Sequence, residues 1–213
     1  MTNKTIISTV MIEAADAVSI ASLINAAASG ADAKTTPVLG EIEVLLENGN
    51  LSATGTDRFM AATYSSTATG EDTAFRLTAA AAKFLAANVK RVNKHYDTPA
   101  VEFVINQGER QVTISHGGAT FSDTWNAGKF PAILGMIDGW QPADTAQPVK
   151  LRGEFLARLY KFTDSFIRVD YWIIELGANT NGYRPERAGV VRATAGKFRV
   201  ILQPNIYQAG DTI

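Results

Sequence analysis

The sequence predicts an α+β fold built from repeats of one unit, in which a strand is followed by a helix and then by three strands. Two observations carry this reading. Amphipathic helical stretches recur about 65 residues apart. Each is followed by short β-like runs separated by Gly- or Asn-containing turns. A chain of 213 residues, 46% hydrophobic and 19% charged, is long and apolar enough to bury a core of this kind.

In the first unit, Ile6 to Ile12 reads as a strand. Ala14 to Ala28 follows as a helix, with Ala17, Ile20, Leu23, Ile24 and Ala27 on one face and the uncharged Val18, Ser22, Asn25 and Ser29 on the other. Ser29-Gly30 is its expected stop. Lys34 to Pro37 connects to two runs, Gly40 to Leu46 and Leu51 to Gly55, whose joint Glu47-Asn48-Gly49-Asn50 carries an Asn-Gly hairpin signal. Arg58 to Ser65 completes the meander.

The second unit opens with a short strand, Thr73 to Leu77. The helix Thr78 to Lys94 places Ala81, Phe84, Leu85, Asn88, Val89 and Val92 on its core side, with Thr78 as N-cap. Lys83, Lys90 and Lys94 stand on the opposite side among small alanines. Such a face suits either plain solvent or a phosphate backbone, because alanine does not obstruct approach and lysine acts as a compact point charge. Strands Val101 to Asn106, Gln111 to Ser115 and Ala119 to Trp125 complete this unit, which shares little sequence with the first.

Asn126 to Pro148 is rich in Gly and Pro and reads as a connector. A third, abbreviated unit follows: Val149 to Leu151, a helix from Arg152 to Phe162, and strands Phe166 to Leu176, Gly189 to Ala193 and Lys197 to Leu202. Its helix carries the core stripe Leu151, Phe155, Leu159 and Phe162, with Lys161 outward and Arg158 on the flank. The expected organisation is residues 1–130 as a domain of two units, 131–148 as linker and 149–213 as a half domain with a tail. On this count the third unit has no partner within the chain.

The formal charge of −1 excludes a protein basic all over but permits a basic face balanced elsewhere. Ser8, Thr9, Glu13 and Asp16 interrupt the apolar residues near the start, so neither a signal peptide nor a membrane span is expected. With no cysteine there is no thiolate chemistry or disulfide framework, which fits a cytoplasmic setting. His95 and His116 stand in different contexts without carboxylates at ligand spacing, so each reads as a surface or hydrogen-bonded histidine. Gly128-Lys129 lacks the preceding glycine and following Ser/Thr of a phosphate loop, and Asp57 reads as a turn cap. No catalytic constellation, metal site or cofactor motif is expected.

Three segments occur in a distinctive order: Thr36-Pro37-Val38-Leu39 leading into EIEVLLENGNLSATGTD, then AGKFP at Ala127 to Pro131, then TAGKFRVILQP at Thr194 to Pro204. Together they resemble the bacterial DNA polymerase III β-subunit, the sliding clamp. The resemblance implies the DNA-clamp fold with three β-α-β-β-β repeats per chain, and a processivity factor, of phage or other divergent origin, that encircles or tethers to duplex DNA. It implies helices lining a hole and contacting phosphates without sequence readout. Lys83, Lys90 and Lys94 are then the DNA-facing residues, with Arg158 and Lys161 contributing and Arg91 between the faces.

The resemblance also implies a cleft for short peptide motifs of polymerase and loader proteins. Matched segment by segment, it would be lined by Phe59, Met60, Pro131, Leu134, Met136, Ile201 and Pro204. Met60-Ala61-Ala62 replaces the family's Arg-Leu-Ala, and the C-terminal end also differs. The family carries about six units per chain and a ring about a dozen, so closure would take about four chains, with dimers or trimers as other outcomes. The alternative is an adaptor or decoy that binds clamp motifs without encircling DNA.

Overall fold

The computed structural model describes residues 7–27, 34–92, 100–143, 151, 153–162, 172–178 and 190–203. In the first unit, β1 (Ile7–Ile12) is followed by α1 (Ala14–Ser22), β2 (Ile42–Glu47), β3 (Asn50–Thr56) and β4 (Met60–Thr67). A two-residue strand β5 (Thr69–Gly70) leads to the second unit: β6 (Thr73–Leu77), α2 (Ala79–Val92), β7 (Val101–Asn106), β8 (Gln111–His116) and β9 (Ala119–Thr124). After α3 (Ile133–Asp138), the third unit supplies α4 (Gly153–Tyr160), β10 (Ile173–Leu176), β11 (Val191–Ala195) and β12 (Phe198–Leu202). No described helix is long and apolar enough to cross a membrane.

The strands form two antiparallel sheets, β5-β1-β7-β8-β9 and β10-β11-β12-β4-β3-β2-β6. The first two units each place their opening strand in the other's sheet: β1 pairs with β7, and β6 with β2. This exchange locks the two units into one body, with α1 packed against α2. The β2–β3 turn puts Asn48 and Gly49 at φ 51° and 76°, the left-handed pair that suits the twist of a two-residue hairpin. Gly55 in β3 has a packing role, since a Cβ there would meet the Leu23 carbonyl oxygen at 2.5 Å.

Helix α1 ends earlier than its apolar pattern predicts. At Leu23 the chain tightens into a 3₁₀ turn through Asn25. Ser19 Oγ donates to the Ala15 carbonyl, Ser22 Oγ to that of Ser19, and Asn25 Nδ2 to that of Ser22. Such side-chain bonds to helix carbonyls compete with the regular ladder and bend it. Nor does α1 keep the expected outer face. Val18 and Ser19 are buried along with the core side, while Ser22 and Asn25 are only half-buried. Ser29 lies outside the described residues. In α2 the expected face holds: Ala81, Leu85, Asn88 and Val89 are buried, and Thr78 Oγ1 accepts from the Ala81 amide as a cap should.

The expectation that the third unit lacks a partner within the chain is corrected. Strand β12 pairs along the outer edge of β4, with Phe198 opposite Tyr64, Val200 opposite Ala62 and Leu202 opposite Met60. The cause is pattern matching across the ladder. These six side chains form one inward, buried face, so joining the strands extends a single core. Phe155, Leu159 and Phe162 of the third unit enter the same core, as their stripe predicts.

The Gly- and Pro-rich connector also holds more structure than a linker. Ile133, Ile137 and Trp140 recur at helical spacing, and α3 lays Ile137, with Trp140 beyond it, against Ala61 and Ile201 on the outer face of β4 and β12. Arg199 Nη1 donates to Asp138 Oδ1 at 2.6 Å and fixes the helix to β12. Farther on, the Ala143 amide donates to the Leu176 carbonyl and that of Ala178 to Gln141, so the connector runs beside the end of β10.

Candidate nucleic-acid and peptide interfaces

Lys83 and Lys90 are exposed on α2, on the side away from its buried stripe. Arg91 is also exposed, but its Nε and Nη2 both donate to Asn88 Oδ1, at 3.2 and 2.7 Å. Asn88, the one polar residue of the core stripe, is satisfied from both ends because its Nδ2 donates to the His116 carbonyl at 2.8 Å. Lys94 lies outside the described residues, as does His95. Helix α1 adds no basic residue.

Just beyond the end of α4, Lys161 is exposed, whereas Arg158 on the helix is turned into the protein. Its Nη1 donates to Asp57 Oδ2 at 2.5 Å and its Nε to the Asn25 carbonyl at 2.8 Å. From the flank position expected for it, Arg158 thus reaches inward rather than to solvent. A carboxylate within reach and the Asn25 carbonyl in the turn after α1 outcompete solvent for the guanidinium fork. Asn25 Nδ2 returns a bond to the Lys161 carbonyl, so α4 is fastened to the first unit at both residues.

Asp57 itself behaves as its sequence context predicts. Oδ1 accepts from the amides of Phe59 and Met60 at 3.0 and 2.8 Å, closing the turn between β3 and β4. That turn holds Arg58 at φ 79°, a left-handed value costly for a side chain of this size. Further bonds hold it there: Thr56 Oγ1 accepts from the Arg58 amide, Arg58 Nη2 donates to Thr36 Oγ1, and the Gln203 amide donates to the Phe59 carbonyl. The result presents Phe59 at 56% exposure beside the end of β12.

The other residues expected around the cleft fall into two sets. Met136 on α3 is 58% exposed, and Pro131 and Leu134 are half-buried. Met60, 1% exposed, is part of the main core, and Ile201 is buried with Ala61 beneath α3, so these two support the surface from below. Pro204 lies outside the described residues. Trp140 is the residue that sequence reasoning missed. Its Nε1 donates to the Val190 carbonyl at 2.7 Å, and the Arg192 guanidinium stacks over its ring at 3.8 Å. The Ile133-Ile137-Trp140 spacing was the available signal.

Two buried groups are not at these surfaces. His116 was expected at the surface or hydrogen-bonded, but it is buried and neither ring nitrogen has a hydrogen-bond partner among the described residues. The alternation of β8 explains this, since His116 follows Val112 and Ile114 on the inward face. Asp16 on α1 accepts from Tyr64 Oη at 2.5 Å, from Ser66 Oγ and from Lys197 Nζ at 3.0 Å. Burial raises the Asp16 pKa, but these hydrogen bonds and the lysine charge outweigh it and hold the carboxyl below its ordinary value. Among the described residues, no three His, Cys, Asp or Glu side chains gather as a metal site requires.

Solved structures with this architecture are β sliding clamps. The DNA polymerase III β subunit of Thermotoga maritima superposes with a TM-score of 0.65 at 11% identity, over 98% of this chain and 68% of that one. The β subunit of Borrelia burgdorferi in complex with a natural product gives 0.65 at 9% identity, over 92% and 64%. The Helicobacter pylori β clamp bound to a DNA ligase peptide gives 0.64 at 10%, over 96% and 67%. No protein-family model and no curated protein sequence matches the chain. The chain spans about two thirds of the length of these clamps. At such identities the likeness is one of fold, and the fold of this chain is that of the sliding clamp.

Proposed function

We propose that the chain is a non-catalytic clamp subunit that holds duplex DNA without sequence readout and tethers replication proteins through a peptide-docking surface. The observation that carries the reading is the outer face of α2. Lys83 and Lys90 are exposed there, on a helix whose other side is buried, within a sliding-clamp fold. Lys94 continues the series in sequence, and Lys161 is exposed in the turn after α4. The test replaces Lys83, Lys90 and Lys94 together by glutamine and measures retention on closed circular duplex DNA across salt concentrations. Loss of retention with a shallower salt dependence is the expected result, and unchanged retention overturns the assignment.

The docking surface combines the Asp57–Met60 turn, α3 and the end of β12, with Phe59 and Met136 as its exposed apolar side chains. Polymerase and loader peptide motifs are its proposed occupants. The ligase peptide held by the Helicobacter pylori clamp supports this by analogy of fold. Loss of binding of a clamp-motif peptide in Phe59→Ala and Met136→Ala, with unchanged melting temperature, is the expected outcome.

For ring closure the chains would associate through the outer edges β9 and β10 of the two sheets. With three units in the chain, a ring of about a dozen would need about four copies, with dimers or trimers as other outcomes. One observation favours the second reading, an adaptor that never closes a ring. The third unit satisfies its strand edge on β4 of its own chain, so pairing at that edge does not require a neighbour. Solution mass separates the two readings.

A further inference from the structure

We propose that Asp57 is a pin shared by the two surfaces, and that a DNA phosphate which draws Arg158 away from it loosens the turn presenting Phe59. This rests on the DNA reading given above. The geometry is specific. One oxygen of the Asp57 carboxylate holds the Phe59 and Met60 amides, and the other holds Arg158 Nη1. The ion pair is largely withdrawn from solvent, with 19% of the Arg158 side chain and 15% of that of Asp57 exposed. A pair so placed is stronger than one in open water and is screened less by salt.

Arg158 sits on α4, three residues before the exposed Lys161. A phosphate arriving at this helix offers the guanidinium the same bidentate acceptor geometry that a carboxylate does. Asp57 therefore acts as an internal competitor for the anion site. When Arg158 leaves, the carboxylate keeps its backbone bonds but loses its anchor to α4. Arg58 is strained at φ 79°, so its turn depends on being held from several sides at once. Phe59 is at the tip of that turn. DNA at α4 and a ligand needing an ordered Phe59 thus oppose one another, and by linkage the opposition is reciprocal.

The experiment has two arms, both on the full chain. In the first, affinity for a 30-base-pair duplex of arbitrary sequence is measured for wild type, Asp57→Asn, Arg158→Gln and the double variant. Asparagine retains an oxygen to cap the turn but gives up the charge. Asp57→Asn should bind about 5-fold tighter or more, Arg158→Gln more weakly, and the double variant like Arg158→Gln. In the second arm, amide exchange at Phe59 and Met60 is followed with and without duplex. Wild type should exchange faster once DNA is bound, and Arg158→Gln should exchange fast in its absence. Unchanged affinity in Asp57→Asn, while Lys83→Gln/Lys90→Gln weakens binding, overturns the competition and leaves the DNA reading standing. Failure of wild type to bind duplex overturns the DNA reading and the trigger together. Equal exchange in Arg158→Gln and wild type, both without DNA, overturns the pin whatever the duplex does.

Discussion

Tyr64 and Phe198 face each other across the β4–β12 ladder with ring centroids 4.8 Å apart and planes tilted by 55°. Phe162 and Trp172 pack on the same phenylalanine at 5.8 and 6.4 Å. Phe198 is therefore the point where the first and third units share a core. Truncation to alanine should cost about 3–5 kcal/mol, the transfer free energy of the ring plus the cavity it leaves. Urea denaturation read by tryptophan fluorescence checks this. Wild type should unfold in one transition and Phe198→Ala at a much lower midpoint. Two separated transitions in wild type would contradict a common core.

Acid stability should depend on Asp16. Its folded pKa lies below the ordinary value because Ser66, Tyr64 and Lys197 outweigh the opposing effect of burial. A depressed carboxyl contributes stability above its unfolded pKa, near 4, and loses that contribution as pH falls through the folded pKa. Asp16→Asn should thus be less stable than wild type at pH 7, with the gap narrowing below about pH 4. Thermal melts at pH 7 and at stepwise lower pH test this, and a gap constant with pH would rule it out.

Alkaline stability should depend on Tyr64. Burial, and next its hydrogen bond to Asp16, push the Tyr64 hydroxyl well above its ordinary value. A raised acid group contributes stability below its unfolded pKa, about 10 for tyrosine, and loses it as pH rises toward the folded one. Tyr64→Phe should flatten the decline in melting temperature above pH 10, relative to wild type. An identical alkaline slope would mean that another group governs it.

The DNA reading makes a quantitative statement about salt. Each phosphate neutralised contributes about 0.9 to the slope of log affinity against log salt on a duplex. Replacing Lys83, Lys90 and Lys94 by glutamine should therefore lower that slope by about 2–3. Fluorescence anisotropy at four salt concentrations is sufficient. A parallel line displaced to weaker binding would indicate an indirect effect on the fold.

Thr78 should behave as a cap with two roles. Its Oγ1 accepts from the Ala81 amide and bonds to Asp123 Oδ2 on β9. Thr78→Ala should cost about 1–2 kcal/mol in urea denaturation, while Thr78→Ser should be near neutral because the hydroxyl is what caps. Equal losses in the two variants would place the effect in the threonine methyl group.

Local pattern made the repeats legible. The α2 stripe, the Asn48-Gly49 turn, the Asp57 cap and the α4 core residues each follow from spacing or from a side chain acting within a few residues of itself. What the sequence did not show is long-range. Nothing local indicates that β1 and β6 change sheets or that β12 closes on β4, because strand partners are chosen among faces of similar apolarity. Nor does anything local show that Arg158 turns toward Asp57 rather than toward solvent, since the carboxylate comes from a distant part of the chain. The α3 helix was hidden by its Gly and Pro neighbours, although Ile133, Ile137 and Trp140 held the period.

The ladder between β4 and β12 also orders events during synthesis. Strand β4 emerges from the ribosome long before β12, and until then its outer edge carries unpaired backbone groups beside Met60, Ala62 and Tyr64. Contacts so far apart in sequence form late and slowly, and an open apolar strand edge invites pairing with another nascent chain. The interval between translation of Met60 and of Leu202 is accordingly the period in which this protein is most exposed to misassembly. A slower codon run placed between them should lower its soluble yield.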